Sequence, residues 1–341
     1  MRKLSFLKPK SKIALIAPSF GCQDEPYKSR LEQAIKHFEQ LGYNIQVSPL
    51  AFRSMRVESA PPKERADDFM RAWLDEDIDF IFSVSGGELM NEILDYLDFE
   101  VIKKAPHPKF LLGYSDNTNL SFLLPVLADI PAFYGPHFPE FGCLKWDDFV
   151  KQTYDFITGK IRLQHSFDYY QSEDLRQQSG HFLDSINADQ KSEWKSLDKK
   201  RSISLEGRLI GGCLDVLLTL IGTKYDKVAD FVERYKDEGI IWFLETYDLS
   251  VLDTCRALWQ LKNAGWFKYC KGLVIGRPLQ REALYDFSYE EALTRQLKDL
   301  GVPVLYDVDV GHVPPSITLV NGSYSRICYR DGKGTIEFLK F

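Results

Sequence analysis

The sequence is poor in cysteine and histidine, and the few that it has are scattered. None of the six cysteines forms a Cys-x-x-Cys pair, and their spacing fits neither a disulfide framework nor a zinc site. The six histidines include no His-Glu-x-x-His motif and show no tight cluster with Asp or Glu, which disfavours a metal enzyme. We therefore expect no metal site and a reduced, cytoplasmic protein.

Long apolar runs, excess positive charge and glycine motifs for nucleotides are missing as well. No apolar run approaches the roughly 20 residues that a membrane span needs. The net charge of −6 opposes binding to the phosphates of nucleic acid. Neither Gly-x-Gly-x-x-Gly nor a P-loop occurs. We expect no membrane partner, no nucleic acid partner and no cofactor.

What the sequence does contain is typical of a folded protein with two domains. It has 341 residues, of which 44% are hydrophobic and 27% charged, and a chain of this length usually forms more than one core. Strand and helix patterns alternate at the start, which predicts an N-terminal α/β domain over 1–161 with a parallel sheet. Residues 162–203 show no sustained periodicity and are predicted to connect it to a C-terminal domain over 204–341.

The segment 109–120 contains the first candidate for chemistry. Apolar residues 110–112 predict a short buried strand that ends at Gly113, and a helical pattern follows from Leu120. Ser115 therefore falls at a strand-to-helix turn, where a nucleophile elbow places its serine, although the motif here is Gly-x-Ser-Asp. A plain helix N-cap is the alternative, and these residues taken alone favour it.

A pair of glycines, Gly86 and Gly87, follows the preceding predicted strand, 78–84. Because parallel strands present their carboxyl ends at one edge of a sheet, we expect the glycines and Ser115 at the same edge, where ligands bind. Two glycines permit the close backbone approach that an oxyanion hole or a substrate carbonyl requires. A simple turn is the alternative.

Two residues of the second domain have the chemistry to assist a serine. Glu245 directly follows the apolar run 240–244 at a predicted strand end, where a carboxylate needs a partner. His312 lies in a proline-containing loop after another predicted strand. The order serine, acid, histidine matches one arrangement of nucleophile, orienting acid and base. A structural acid and a surface histidine are the alternatives for these two residues.

Several segments together resemble the LD-carboxypeptidase family of serine peptidases, and within it the microcin C self-immunity branch. The likeness runs in order through nearly the whole chain. The matching segments are 17–19, 86–88, 91–94, 96–98, 112–118, 134–136, 207–212, 222–223, 244–246 and 311–312.

This resemblance implies a catalytic triad in which Ser115 is the nucleophile, His312 the general base and Glu245 the orienting acid. It places the oxyanion hole at the backbone N–H groups of the 86–87 turn and of Asp116. It also implies an N-terminal domain that resembles class I glutamine amidotransferases and a C-terminal β-rich α/β domain. Homodimers are common in the family, so a homodimer is expected.

The chain departs from the family pattern close to the predicted site. Ser85 stands where many murein-recycling members have an arginine that meets a substrate carboxylate, and Cys213 stands where asparagine is usual. The Gly-Gly-Glu sequence that ends at Glu88 is more similar to the immunity branch, whose members stack an aromatic residue of the connecting loop on the nucleotide base. Trp194 is our candidate for that aromatic residue, with packing in the connecting segment as the alternative. The predicted substrate-binding residues are thus Ser85, Glu88 and Trp194.

The resemblance implies a serine hydrolase that cleaves a C-terminal amide bond. The expected substrate is an aminoacyl-nucleotide conjugate or a small peptide. A murein tetrapeptide LD-carboxypeptidase of cell-wall recycling is the alternative within the family. An alternative from another class is a non-catalytic protein that binds a small ligand in the same cleft.

Overall fold

The computed structural model describes residues 1–2 and 5–341, which form two large sheets and a small one with helices packed around them. The strands are β1 (Lys12–Ile16), β2 (Asn44–Val47), β3 (Phe80–Ser83), β4 (Phe110–Leu112), β5 (Ala132–Tyr134), β6 (Leu163–His165), β7 (Tyr169–Gln171), β8 (Ala188–Lys191), β9 (Lys195–Ser196), β10 (Ser202–Cys213), β11 (Ile240–Glu245), β12 (Cys270–Gly276), β13 (Val304–Val308), β14 (Leu319–Asn321), β15 (Tyr324–Arg330) and β16 (Lys333–Lys340). The α-helices are α1 (Tyr27–Gln40), α2 (Pro62–Leu74), α3 (Phe99–Lys104), α4 (Thr118–Leu123), α5 (Asp148–Ile157), α6 (Leu214–Leu220), α7 (Val228–Arg234), α8 (Val251–Asn263) and α9 (Tyr289–Leu297). Among the residues described, none of the helices has both the length and the apolar character needed to cross a bilayer.

The first sheet has the strand order β14-β5-β4-β3-β1-β2. Strands β1 to β5 are parallel, as the alternating pattern predicts, and β14 joins antiparallel to β5 from near the other end of the chain. Buried Phe80, Phe110 and Phe133 pack across neighbouring strands, and the rings of the last two have centroids 4.3 Å apart. Aromatic pairs at this separation stabilise a core beyond their buried area, so they help to fix the strands whose ends carry the site.

The second sheet has eight strands in the order β6-β16-β15-β10-β11-β12-β13-β9. Its centre, β10 to β13, is parallel, and antiparallel strands cover both edges. All six residues of β11 are buried, and its last residue is Glu245. The apolar run before Glu245 therefore forms a central strand that delivers a carboxylate to the carboxyl edge of this sheet.

The segment 162–203 is folded onto both edges of the second sheet. Strand β6 pairs with β16, β9 pairs with β13, and β7 and β8 form a separate two-stranded hairpin. Strand β14 lies in the 204–341 range but belongs to the first sheet. The two-domain α/β architecture with parallel sheets is confirmed, while the boundaries after residues 161 and 203 stay predictions.

Candidate active site

Ser115 lies at the turn between β4 and α4, as the sequence predicts. Its φ of +61° is a left-handed conformation that L-residues rarely adopt, and a strained turn of this kind is a feature of nucleophile elbows. The N-cap of α4 is Asn117, and Ser115 starts the short 3₁₀ turn that precedes it. The alternative in which Ser115 is the N-cap of α4 is therefore wrong.

The turn formed by Gly86 and Gly87 packs directly against Ser115. A Cβ atom added to Gly86 would lie 3.1 Å from Ser115 Oγ, and one added to Gly87 would lie 2.2 Å from Ser19 Oγ. Gly87 also has a φ of +154°, which L-residues with side chains rarely adopt. Gly87 thus has to be glycine, and the absence of a side chain at Gly86 leaves backbone exposed beside the serine hydroxyl.

The side chain of Asp116 holds the Ser115 turn from inside. Its Oδ2 atom accepts hydrogen bonds from Ser19 Oγ at 2.5 Å and from the Met90 N–H at 2.9 Å. Asn119 donates to Oδ1 at 3.1 Å. Burial raises the pKa of Asp116, and these hydrogen bonds partly offset that effect. Because the carboxylate is occupied, the backbone is the part of Asp116 that a substrate could use.

Glu245, the last residue of β11, pairs with His312, which lies in the loop after β13. His312 Nδ1 donates to Glu245 Oε2 at 2.7 Å, and the Glu245 side chain is fully buried. Gly311, with a φ of +101°, precedes the histidine, and a Cβ there would lie 2.5 Å from Glu245 Oε2. Glycine is therefore required before His312, since any side chain would push the carboxylate away from the imidazole.

The two members of this pair shift each other's pKa in opposite directions. Burial raises the pKa of Glu245, but the charge of His312 and hydrogen bonds from His312 and Tyr134 outweigh it, and the net pKa is lowered. Burial lowers the pKa of His312, but the charge and hydrogen bond of Glu245 outweigh it, and the net pKa is raised above its ordinary value. Glu245 is therefore an ionised acceptor that stabilises the protonated imidazole.

Tyr134 connects the acid to the serine turn, a link that sequence reasoning missed. The Tyr134 hydroxyl donates to Glu245 Oε1 at 2.5 Å and accepts from the Ser115 N–H at 3.4 Å. Tyr134 is the last residue of β5, beside β4 in the first sheet. Its position at a strand end, next to the strand that leads to Ser115, was the signal that could have identified it.

A cleft of about 510 Å³ lies over these groups. Ser115, His312 and the 86–87 turn line it, together with the predicted residues Ser85 and Glu88. Burial and the nearby carboxylates of Asp116, Asp248 and Asp215 raise the pKa of Glu88. The rings of Tyr114 and Tyr247 have centroids 5.0 and 4.7 Å from that of His312. The structure therefore brings together the three residues of the predicted triad, the glycine turn and two of the three predicted substrate-binding residues.

The far wall of the cleft holds a buried ion cluster that the sequence did not indicate. Arg176 donates to Glu140 Oε2 at 2.8 Å and to Asp174 Oδ1 at 2.7 Å. Arg30 lies 3.7 Å from the other Glu140 oxygen. Arg30 and Glu140 are distant in sequence from each other and from the pair Asp174 and Arg176, so no local motif predicts the cluster. They give this wall polar groups of both signs without a large net charge.

Trp194 does not lie in the cleft. Its side chain is 1% exposed, and its Nε1 donates to Asp309 Oδ2 at 2.8 Å. The ring packs so closely on Gly334 that a Cβ there would lie 2.0 Å from it. The prediction that Trp194 stacks on a substrate base is not supported, because its ring is buried outside the cleft. The buried carboxylate of Asp309 needs hydrogen-bond donors, and the indole N–H is one of them. The alternative, a packing role, describes its environment.

The structure also forms a cluster of possible metal ligands, which the sequence spacing did not predict. One ligand atom from each of Cys213, Glu245 and His312 lies within 4.8 Å of the other two. Cys213 ends β10 and is directly opposite Glu245 in the register of β10 and β11. The expectation that no tight cluster forms is corrected here, because residues far apart in sequence meet where parallel strands end.

Comparison with known proteins identifies the family. Residues 13–135 match the LD-carboxypeptidase N-terminal domain, and residues 206–327 match the LD-carboxypeptidase C-terminal domain. The chain belongs to the LD-carboxypeptidase family. Both domains occur in the order that the resemblance of the sequence motifs implies, and this membership makes the protein a serine peptidase by family.

Individual relatives extend over most of the chain. It is 28% identical to YocD of Bacillus subtilis, which is named as a carboxypeptidase, over 95% of each protein. It is also 28% identical to the microcin C7 self-immunity protein MccF of Escherichia coli, over 86% of this chain and 84% of MccF. A structure of MccF in complex with aspartyl sulfamoyl adenosine superposes with a TM-score of 0.81 and 23% identity, covering 99% of this chain and 98% of the other. The last likeness shows that the two proteins share a fold.

Proposed function

We propose that the protein is a serine hydrolase that cleaves the bond between an aminoacyl group and a modified nucleotide. The observation that carries this proposal is the convergence of Ser115, the Glu245–His312 pair and the 86–87 glycine turn at one cleft. MccF is a self-immunity protein whose structure holds aspartyl sulfamoyl adenosine, an aminoacyl-nucleotide analogue. That relationship supports the substrate class.

In the proposed first step, Ser115 Oγ attacks the acyl carbonyl carbon of the substrate. His312 Nδ1 carries the hydrogen that bonds to Glu245, so Nε2 is the nitrogen free to take the serine proton. Glu245 holds this tautomer and stabilises the imidazolium that forms. His312 then gives the proton to the departing nitrogen, which leaves an acyl-enzyme on Ser115.

Backbone N–H groups of Gly87 and Asp116 are proposed to stabilise the oxyanion of this step. The absence of a side chain at Gly86 lets a carbonyl oxygen approach that backbone beside Ser115 Oγ. One such donor is worth roughly 3–4 kcal/mol, or about 10²–10³ in rate. In the second step, His312 activates a water molecule that attacks the acyl-enzyme, and the aminoacyl product is released as its free acid.

The pH dependence of the reaction should follow His312. Only the neutral imidazole can accept the serine proton, and Glu245 raises the pKa of His312 above its ordinary value of about 6.5. We expect kcat/KM to fall as the pH is lowered through a value above about 6.5. A pH–rate profile from pH 5 to 9 measures it, and an acid limb centred below pH 6 would contradict the assigned pairing.

The competing assignment within the family is a murein tetrapeptide LD-carboxypeptidase. Ser85 lines the cleft, and the resemblance of the sequence motifs implies that many murein-recycling members have an arginine for a substrate carboxylate at this position. A neutral serine cannot replace that charge–charge contact. The family is named for LD-carboxypeptidase activity, so this assignment is the second candidate. The substrate that the protein cleaves decides between the two.

Side-by-side assays distinguish the three assignments. We expect aspartyl sulfamoyl adenosine to be cleaved with a kcat/KM at least about tenfold above that of a murein tetrapeptide, with Ser115→Ala as the blank for both. The reverse preference would support the LD-carboxypeptidase. Saturable binding of either compound, measured by calorimetry, without turnover would support the non-catalytic alternative.

Three broader features are part of the proposal. The protein is proposed to be cytoplasmic and to form a homodimer, since both are expected of the family branch that it resembles. Its N-terminal domain is proposed to share the fold of class I glutamine amidotransferases. Sedimentation of the purified protein measures the oligomeric state.

A further inference from the structure

Three groups with the chemistry of zinc ligands meet behind the wall of the cleft. They are the Cys213 thiol, the Glu245 carboxylate and the His312 imidazole, and one ligand atom of each lies within 4.8 Å of the other two. Cys213 and Glu245 are 2% and 0% exposed, whereas the His312 side chain is 10% exposed and lines the cleft. An ion that enters the cleft would therefore meet the imidazole first and find the other two groups behind it.

The donor set and its spacing suit a thiophilic divalent cation. Sulfur, nitrogen and carboxylate oxygen are the ligands that zinc uses, and sites with three protein ligands are common. Ligand atoms around tetrahedral zinc lie roughly 3.3–3.7 Å apart, as follows from metal–ligand distances of about 2.0–2.3 Å. The present spacing brackets this geometry, since His312 Nδ1 and Glu245 Oε2 are 2.7 Å apart and none of the three ligand atoms is more than 4.8 Å from another.

We propose that Cys213, Glu245 and His312 form an inhibitory site for Zn²⁺ and similar thiophilic cations. The ion takes the place of the hydrogen on His312 Nδ1, the nitrogen that now donates to Glu245. That proton moves to Nε2, so the imidazole can no longer accept the proton of Ser115. The thiol of Cys213 loses its proton to solvent when its sulfur binds the ion, and one proton is released for each ion bound.

Cys213 is the residue that gives this site its preference for thiophilic cations. A thiolate favours zinc and similar ions over the harder cations that carboxylates and carbonyls bind. Cys213 ends β10 directly opposite Glu245, and a metal ion that binds a thiol displaces its proton. The inhibition rests on the hydrolase activity proposed above, whereas the site itself does not.

Titration with Co²⁺, a spectroscopic substitute for Zn²⁺, tests binding without any need for turnover. The wild-type protein should show a thiolate-to-cobalt charge-transfer band that saturates at one ion per chain. Cys213→Ser should lose this band, and Cys328→Ser, which changes a thiol on β15 away from the cluster, should keep it. Absence of a saturable band in the wild type, or its persistence in Cys213→Ser, overturns the proposal.

Inhibition by Zn²⁺ is the second measurement, with each variant compared with its own metal-free rate. Substitution of a residue that only supports a metal ligand costs about 10–100-fold in metal affinity. Because Cys213→Ser removes a ligand itself, it should raise the Zn²⁺ concentration for half inhibition at least about tenfold. Cys213→Asn serves as a second variant if the serine variant is unstable. Equal sensitivity to Zn²⁺ in the wild type and in a folded Cys213 variant overturns the inhibitory role. Failure of the proposed hydrolase activity would leave the cobalt result unaffected.

Discussion

Ser115→Ala and His312→Ala should each lose about 10⁵-fold or more in kcat on an aminoacyl-nucleotide substrate. Nucleophile and base act as one unit, so removing either eliminates the acyl-enzyme route and leaves only the weak catalysis of the oxyanion site and of binding. Ser115 lies at a strained turn against the glycine pair, and His312 is held by Glu245 on the cleft wall. Steady-state rates for the purified variants measure the loss.

Matched control variants distinguish this loss of activity from a loss of folding. Ser172→Ala and His181→Ala remove the same side-chain types from exposed positions in the 162–203 segment and should stay within about twofold of the wild-type rate. Circular dichroism and thermal unfolding establish that all four variants fold. If folded Ser115→Ala kept more than about a tenth of wild-type activity, Ser115 could not be the nucleophile.

Glu245→Gln should lower kcat/KM by about 10³–10⁴-fold, although the side chain keeps its size. In a serine triad, an amide in place of the acid leaves the geometry but favours the wrong imidazole tautomer and removes the charge that stabilises the imidazolium. The carboxylate of Glu245 also raises the pKa of His312 against the opposing effect of burial. In the variant burial dominates, so the residual activity should show its acid limb at lower pH than the wild type.

The combination of a lower rate and a shifted pH profile distinguishes a positioning role from a structural one. Glu100→Gln changes an exposed carboxylate on α3 and should leave both the rate and the profile unchanged. A Glu245→Gln enzyme with a lower rate but an unshifted acid limb would mean that Glu245 only supports the fold of the strand end.

The order of elements along the chain is enough to predict where the site lies. Apolar runs that end in Gly113 and Glu245 predict buried strands, and buried parallel strands bring their carboxyl ends together. The sequence alone therefore places Ser115 and Glu245 at sheet edges. The pairing of Glu245 with His312 at 2.7 Å follows the same logic, since an ionised side chain at a buried strand end needs a partner.

The residues that sequence reasoning missed depend on contacts between distant segments. Tyr134 joins the acid to the serine turn across two domains. Its position at the end of β5 indicates the sheet edge, but the contact with Glu245 depends on how the second sheet packs there. The family resemblance predicts Trp194 in the cleft, but the partner that decides its position is Asp309, 115 residues away. Buried polar groups are satisfied by whichever donors the fold brings near them.

Two features of the fold also depend on contacts between distant segments and could not be predicted from the sequence. The stretch 207–212 is rich in glycine, which disfavours strands, yet it lies in the long central strand β10. A Cβ at Gly211 would lie 1.7 Å from the Phe243 carbonyl oxygen, so close packing against β11 requires glycine there. The crossing of β14 to the first sheet is a long-range pairing that local patterns do not specify.

Covalent labelling of Ser115 tests the central claim most directly. The folded protein should react with a fluorophosphonate probe, and mass spectrometry of the digest should find the adduct on the peptide that contains Ser115. Ser115→Ala should show no adduct, and His312→Ala should react far more slowly, because the base that activates the serine is missing. An adduct on a different residue, or no adduct on Ser115 in protein that cleaves its substrate, would contradict the account.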